Sequence, residues 1–117
     1  MAKILVCEPH EEVRELLGHV VARLGHEPVF TPDGPHEAFD MHDVDVLLIE
    51  PADPRALAAA QILRLERERM PIVCASIYPP TPNTGRLDPV AYLVKPFGLH
   101  ELEQALETAV ACLGVAA

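Results

Sequence analysis

The feature that most constrains this chain is a repeated alternation of short apolar runs with amphipathic stretches. Lys3 to Cys7, Val44 to Ile49, Pro71 to Ser76 and Val90 to Val94 are runs rich in branched aliphatic residues, with little polar alternation. A strand with one wet face alternates apolar and polar residues, whereas short continuous apolar runs are the mark of strands covered on both faces. A further run, Glu27 to Thr31, contains Pro28, whose missing amide proton places it at a sheet edge. Between the first two runs, Val13, Leu16, Leu17, Val20, Val21 and Leu24 recur at spacings of three and four. That spacing predicts one stripe of a helix from about His10 to Leu24, with Gly25 at its carboxyl end. Asp33-Gly34-Pro35 opens a short helix to about Met41, and Asp53 with Pro54 opens another to about Arg69. A last helix carries Leu99, Leu102, Leu106, Ala109 and Leu113 on one face. Alternation of this kind predicts a parallel sheet with helices on both sides.

One segment breaks the rhythm. Ile77 to Pro89 stands where a fourth helix belongs, but it contains Pro79, Pro80, Pro82 and Pro89 together with Gly85. A proline inside a helix costs about 3 kcal/mol, so this helix is expected to be a single turn or absent.

The 117 residues suit one domain spanning 1–117, and half of them are apolar, enough for a single core. No run approaches the roughly 18 apolar residues of a membrane span, and Met1-Ala2-Lys3-Ile4 leads straight into a strand with no secretory signature. A net charge of −9 with nine scattered basic residues argues against a nucleic-acid partner. Arg64, Arg67 and Arg69, alternating with Glu66 and Glu68, read as a solvated helix face. Cys7, Cys74 and Cys112 are odd in number, lack a CxxC spacing and sit among apolar neighbours. They are expected to be buried free thiols, consistent with a cytoplasmic location.

In a doubly wound sheet a site forms at the carboxyl ends of the strands, where the strand order reverses. For the order 2-1-3-4-5 those positions are Glu8, Pro9 and His10 after the first strand and Glu50 to Pro54 after the third. Ser76 and Lys95 close the fourth and fifth strands. Two carboxylates facing a lysine can hold a metal or a phosphoryl group, or can form an ion pair.

Four blocks of the sequence resemble response-regulator receiver domains. They are Lys3 to Leu17, Asp45 to Glu50 with Pro54, Pro71 to Ser76, and Ala91-Tyr92-Leu93-Val94-Lys95-Pro96-Phe97. The resemblance spans the chain, with Ile77 to Pro89 as its weak stretch, and implies a flavodoxin-like α/β fold of five parallel strands. It also implies a phosphoacceptor aspartate, an acidic pair that holds Mg²⁺, a switch hydroxyl at Ser76, a rotameric aromatic at Tyr92, and Lys95 before a cis peptide to Pro96. Tyr92 is otherwise an ordinary half-exposed edge-strand residue.

The chain departs from that pattern where the chemistry lies. Glu50 stands at the acceptor position, and the acidic pair is Glu8-Pro9, in which Pro9 offers no carboxylate. Mg²⁺ demands near-octahedral oxygen geometry, so its binding is expected to be weak or lost and no cofactor is expected. The expectation is a non-enzymatic, phosphorylation-independent interaction module of two-component signalling. Its contact face is rebuilt by the proline-rich loop, with Tyr78, Pro79, Pro80 and Leu87 as apolar contacts. The partners implied are proteins, such as a histidine kinase or a downstream regulator, and a second copy of the chain as a dimer mate; neither nucleic acid nor membrane is expected. Two other readings stay open: phosphate accepted on Glu50 or on Asp53, and a small-molecule or metal sensor in the vacated crevice, where His10 with Glu8 and Glu50 would suit Zn²⁺.

Overall fold

The computed structural model describes residues 1–30 and 43–115; the helix expected from Asp33 to Met41 lies outside them. Five strands, β1 (Lys3–Cys7), β2 (Glu27–Phe30), β3 (Val46–Ile49), β4 (Ile72–Ser76) and β5 (Ala91–Val94), form one sheet in the order β2-β1-β3-β4-β5. Every pairing is parallel, with Leu5 opposite both Val29 and Leu47, and Ile49 opposite Cys74. This is the flavodoxin-like arrangement that the strand pattern and the resemblance predict. Pro28 falls on the edge strand, as its missing donor requires.

The unbroken apolar runs are explained by the two faces they supply. Ile4, Val6, Val46, Leu48, Val73, Ala75 and Leu93 point to the side covered by helices α1 (Glu11–Arg23) and α4 (Leu99–Val115). Leu5, Cys7, Leu47, Ile49, Ile72 and Cys74 point to the other side, under helix α2 (Pro54–Glu66). Each fully buried aliphatic side chain contributes roughly 1.5–3 kcal/mol, so the central strands β1, β3 and β4 carry the core. In α1 the stripe is narrower than its spacing suggests: Leu17, Val20 and Val21 are buried, whereas Leu16 lies on the outer side. Gly18 admits the ring of Phe30, because a Cβ there would stand 2.6 Å from the ring's Cζ. Gly25 ends α1 at a positive φ of 88°, which glycine adopts freely.

Asp53 caps α2 by accepting from the Arg55 amide at 3.2 Å, and Pro54 opens the first turn. The expected fourth helix is a single turn, α3 (Pro82–Gly85). Thr81 and Thr84 hold it in a reciprocal cap in which the Thr84 amide donates to Thr81 Oγ1 and the Thr81 amide donates to Thr84 Oγ1. Leu87 fills the space beside this turn and is 1 % exposed, packed with Ile72, Cys74 and Leu63.

Three expectations are corrected here. Leu87 is a core residue and not a surface contact, because a shortened helix leaves the sheet to be covered by the chain that follows it. Arg64 and Arg67 are half-buried fasteners, and only Arg69 of that group is exposed. Arg64 Nε donates to the Leu87 carbonyl at 2.9 Å, and Arg67 donates to the Val44 carbonyl, so both saturate backbone acceptors that lack a strand or helix partner. Among the thiols, Cys7 and Cys74 are buried, but Cys112 is only half-buried. Among the described residues, no helix is long and apolar enough to cross a membrane.

Candidate functional site

The crevice forms where β1 and β3, adjacent in the sheet, send their chains to opposite sides. The Glu50 amide donates to the Cys7 carbonyl at 2.9 Å, which ties the two strand ends together and sets Glu8 and Glu50 side by side. The Lys95 amide donates to the Ser76 carbonyl at 2.7 Å, so the end of β5 is fixed against the end of β4. The Lys95–Pro96 peptide is cis, as expected from the resemblance. These backbone contacts bring Glu8, Glu50, Ser76 and Lys95 together, the four residues that the strand order places there.

Their side chains form a closed cluster. Lys95 Nζ lies 2.9 Å from Glu8 Oε2 and 3.1 Å from Glu50 Oε2, with both carboxylates almost fully buried. Glu8 Oε1 accepts the His10 amide at 3.3 Å. Glu50 Oε1 accepts the Ser76 hydroxyl at 2.7 Å and the Ala52 amide at 3.1 Å. Glu50 Oε2 receives no well-angled hydrogen bond, and its contact with Lys95 is ionic. Burial alone pushes the Lys95 ammonium down, but its hydrogen bond with Glu8 and its charge contacts with Glu8 and Glu50 outweigh that and hold it above the usual lysine range.

The Ser76 hydroxyl also joins the crevice to the loop beyond β4. Its oxygen accepts the Tyr78 amide at 3.2 Å while its proton goes to Glu50. Ser76 thus meets the backbone as an acceptor, while its donor is spent on a carboxylate across the sheet. Tyr92, half-buried on the edge strand, donates its hydroxyl to the Tyr78 carbonyl at 2.8 Å. Burial holds the Tyr92 phenol above its ordinary range, opposed by the neighbouring Ser76 hydroxyl and reinforced by the nearby Cys74 and Glu50. Tyr78, Pro79 and Pro80 are exposed, as expected of surface contacts, while Leu87 is not.

Mg²⁺, which the resemblance implies for receiver domains, is not matched by these residues. It needs about six oxygens at roughly 2.0–2.1 Å, and the Pro9 side chain supplies none. Among the described residues the one buried side-chain oxygen without a hydrogen bond, Glu50 Oε2, already faces the Lys95 ammonium. Nor does His10 complete a zinc site: it is exposed, and no three His, Cys, Asp or Glu side chains converge among the described residues. The cluster holds two carboxylates against one ammonium.

Two features escaped the sequence reading. One is Asp45, whose carboxylate accepts the Lys3 amide at 2.8 Å and fastens the start of β1. The other is the direct Ser76–Glu50 bond. Its signal was present in the strand order: adjacent parallel strands of similar length end side by side, so a hydroxyl ending β4 falls next to the residue after β3.

No protein-family model matches the chain, and no curated protein matches it in sequence. Its fold has counterparts among solved structures. A response-regulator receiver-domain protein from Clostridium thermocellum superposes with a TM-score of 0.82 at 15 % identity, covering 100 % of both chains. The response regulator TrrA of Thermotoga maritima, solved in complex with Mg²⁺–BeF, gives 0.78 at 22 % identity, over 93 % of this chain and 99 % of that one. The chemotaxis protein CheY4 of Vibrio cholerae gives 0.74 at 20 %, over 93 % and 98 %. At such identities the likeness speaks for architecture: this chain has the fold of a response-regulator receiver domain.

Proposed function

We propose that the chain is a receiver-type signalling module that acts through protein contacts, without a phosphorylation cycle and without enzymatic activity of its own. The observation that carries this reading is the closed cluster, in which Lys95 bridges Glu8 and Glu50 while Ser76 spends its proton on Glu50. Phosphoryl transfer relies on positioning and on charge neutralisation at the acceptor. Here the acceptor carboxylate is occupied on both oxygens, and Pro9 removes a metal ligand. The exposed Tyr78-Pro79-Pro80 segment, held to the crevice through Ser76 and Tyr92, is the surface left to meet a partner. Two-component proteins, a histidine kinase or a downstream regulator, are the partner class that the fold suggests.

Intact-mass spectrometry after treatment with acetyl phosphate and Mg²⁺ tests the reading. The wild type is expected to remain unmodified, and Glu50→Asp alone to gain little. The pair Pro9→Asp with Glu50→Asp is expected to gain both Mg²⁺ binding and phosphate, since Glu8, Ser76 and Lys95 are already in place. Stoichiometric phosphate on wild-type Glu50 overturns the proposal in favour of a working phosphoryl switch.

A further inference from the structure

At the opposite pole of the sheet from the crevice, a groove of about 620 Å³ runs past the amino ends of β4 and β5, between the end of α2 and the second half of α4. Met70, Pro71, Val90 and Ala111 give it apolar walls. Arg69 stands at its rim, exposed and without a partner among the described residues. The proline-rich ridge lies beyond the carboxyl end of β4, at the other pole of the sheet.

We propose that the ridge of one copy of this chain docks into this groove on a second copy, so that the chains associate head to tail. The inference rests on the reading of the loop as a contact surface and names the occupant of that contact. Three observations carry it. First, the two surfaces match in hydrogen-bonding character. Pro79, Pro80 and Pro82 have no amide proton, so the ridge presents apolar rings and backbone acceptors, and the groove presents apolar walls and a guanidinium with free donors.

Second, the charges allow this contact and oppose most others. The chain carries −9 overall, so two copies repel across most of their surfaces. Ile77 to Gly85 contains no charged residue, and in the groove Arg64 and Arg69 balance Glu68 and Asp88. Third, the ridge is ordered before it binds. The Tyr78 amide and carbonyl are both engaged, and the Thr81–Thr84 cap fixes the far end, so docking loses little conformational freedom. The groove has room for an aromatic ring and a pair of prolyl rings. Because ridge and groove are different patches, the contact is heterologous and repeats along a chain of copies without closing as a twofold dimer.

Sedimentation equilibrium of the intact chain over a wide concentration range, with two single variants, tests this. Tyr78→Glu spoils the ridge and leaves the groove; Ala111→Glu spoils the groove and leaves the ridge. Both positions are exposed, and circular dichroism checks that each variant folds. The wild-type mass is expected to rise with concentration past that of a dimer, and more readily at high salt, where the general repulsion is screened. Each variant alone is expected to stay monomeric, and an equimolar mixture to form dimers and nothing larger, because one intact junction remains. A wild type that stays monomeric, self-association unaffected by Ala111→Glu, or a mixture that restores nothing each overturns the proposal. None of these results touches the phosphodonor test, so this inference can fall while the interaction-module reading stands.

Discussion

Lys95 is the residue on which the crevice depends. A buried ion pair adds little net stability, but removing one partner strands the charges that it neutralised. Lys95→Ala is expected to destabilise the fold by about 3 kcal/mol in urea titrations, since Glu8 and Glu50 would face each other unneutralised. Adding Glu50→Gln to that variant is expected to recover part of the loss. No recovery would mean that packing of the lysine stem, and not its charge, is what holds the strand ends. These residues were legible in the sequence because strand order alone brings positions 8, 50, 76 and 95 to one pole. What each side chain bonds to was less legible. A serine at a strand end can face backbone, water or a neighbour, and only the relative lengths of β3 and β4 decide that it meets Glu50.

At the scale of elements, the segment between β4 and β5 shows how a missing helix is replaced. Leu87, the single turn of α3 and the Arg64 side chain together do what a longer helix does elsewhere in such sheets. Leu87→Ala is expected to cost about 3 kcal/mol, within the range for emptying a fully buried leucine site, and Tyr78→Ala at the exposed ridge less than about 1 kcal/mol. Equal costs in chemical denaturation would return Leu87 to the surface. The break in the helix was plain from four prolines, but the inward turn of Leu87 was not. A lone leucine in a loop carries no periodicity, so nothing local says which way it points. Arg64 and Arg67 misled for a related reason: alternating charges look solvated unless unpaired carbonyls, such as those of Leu87 and Val44, lie within reach.

For the whole molecule, the raised values of several protonated groups set its limit toward alkali. Burial, reinforced by Asp53, pushes the Cys7 thiol up to about 12, and burial with the charge of Glu50 pushes Cys74 up to about 12, from an ordinary value of 9.0. A group that holds its proton more tightly when folded contributes fully below its unfolded value, and that contribution is lost as pH rises toward the folded one. Tyr92 and Lys95, both raised, act in the same direction. Stability is therefore expected to fall progressively from pH 9.0 toward about 12. Cys74→Ala is expected to show a shallower decline, although it starts lower at neutral pH. A decline of equal slope in chemical denaturation at stepped pH would exclude the thiols as its cause.

The strand order β2-β1-β3-β4-β5 also bears on how such a sheet can be assembled on the ribosome. β1 emerges first, β2 joins one side of it and β3 the other, and then β4 and β5 follow outward in turn. Each strand, as it is synthesised, finds an open edge waiting, and none has to be threaded between two that are already paired. Since every pairing is parallel and needs a crossover, no hairpin can shorten the search. Vectorial synthesis supplies the ordering that local contacts do not, and it leaves β5 and α4 as the last pieces to join the sheet.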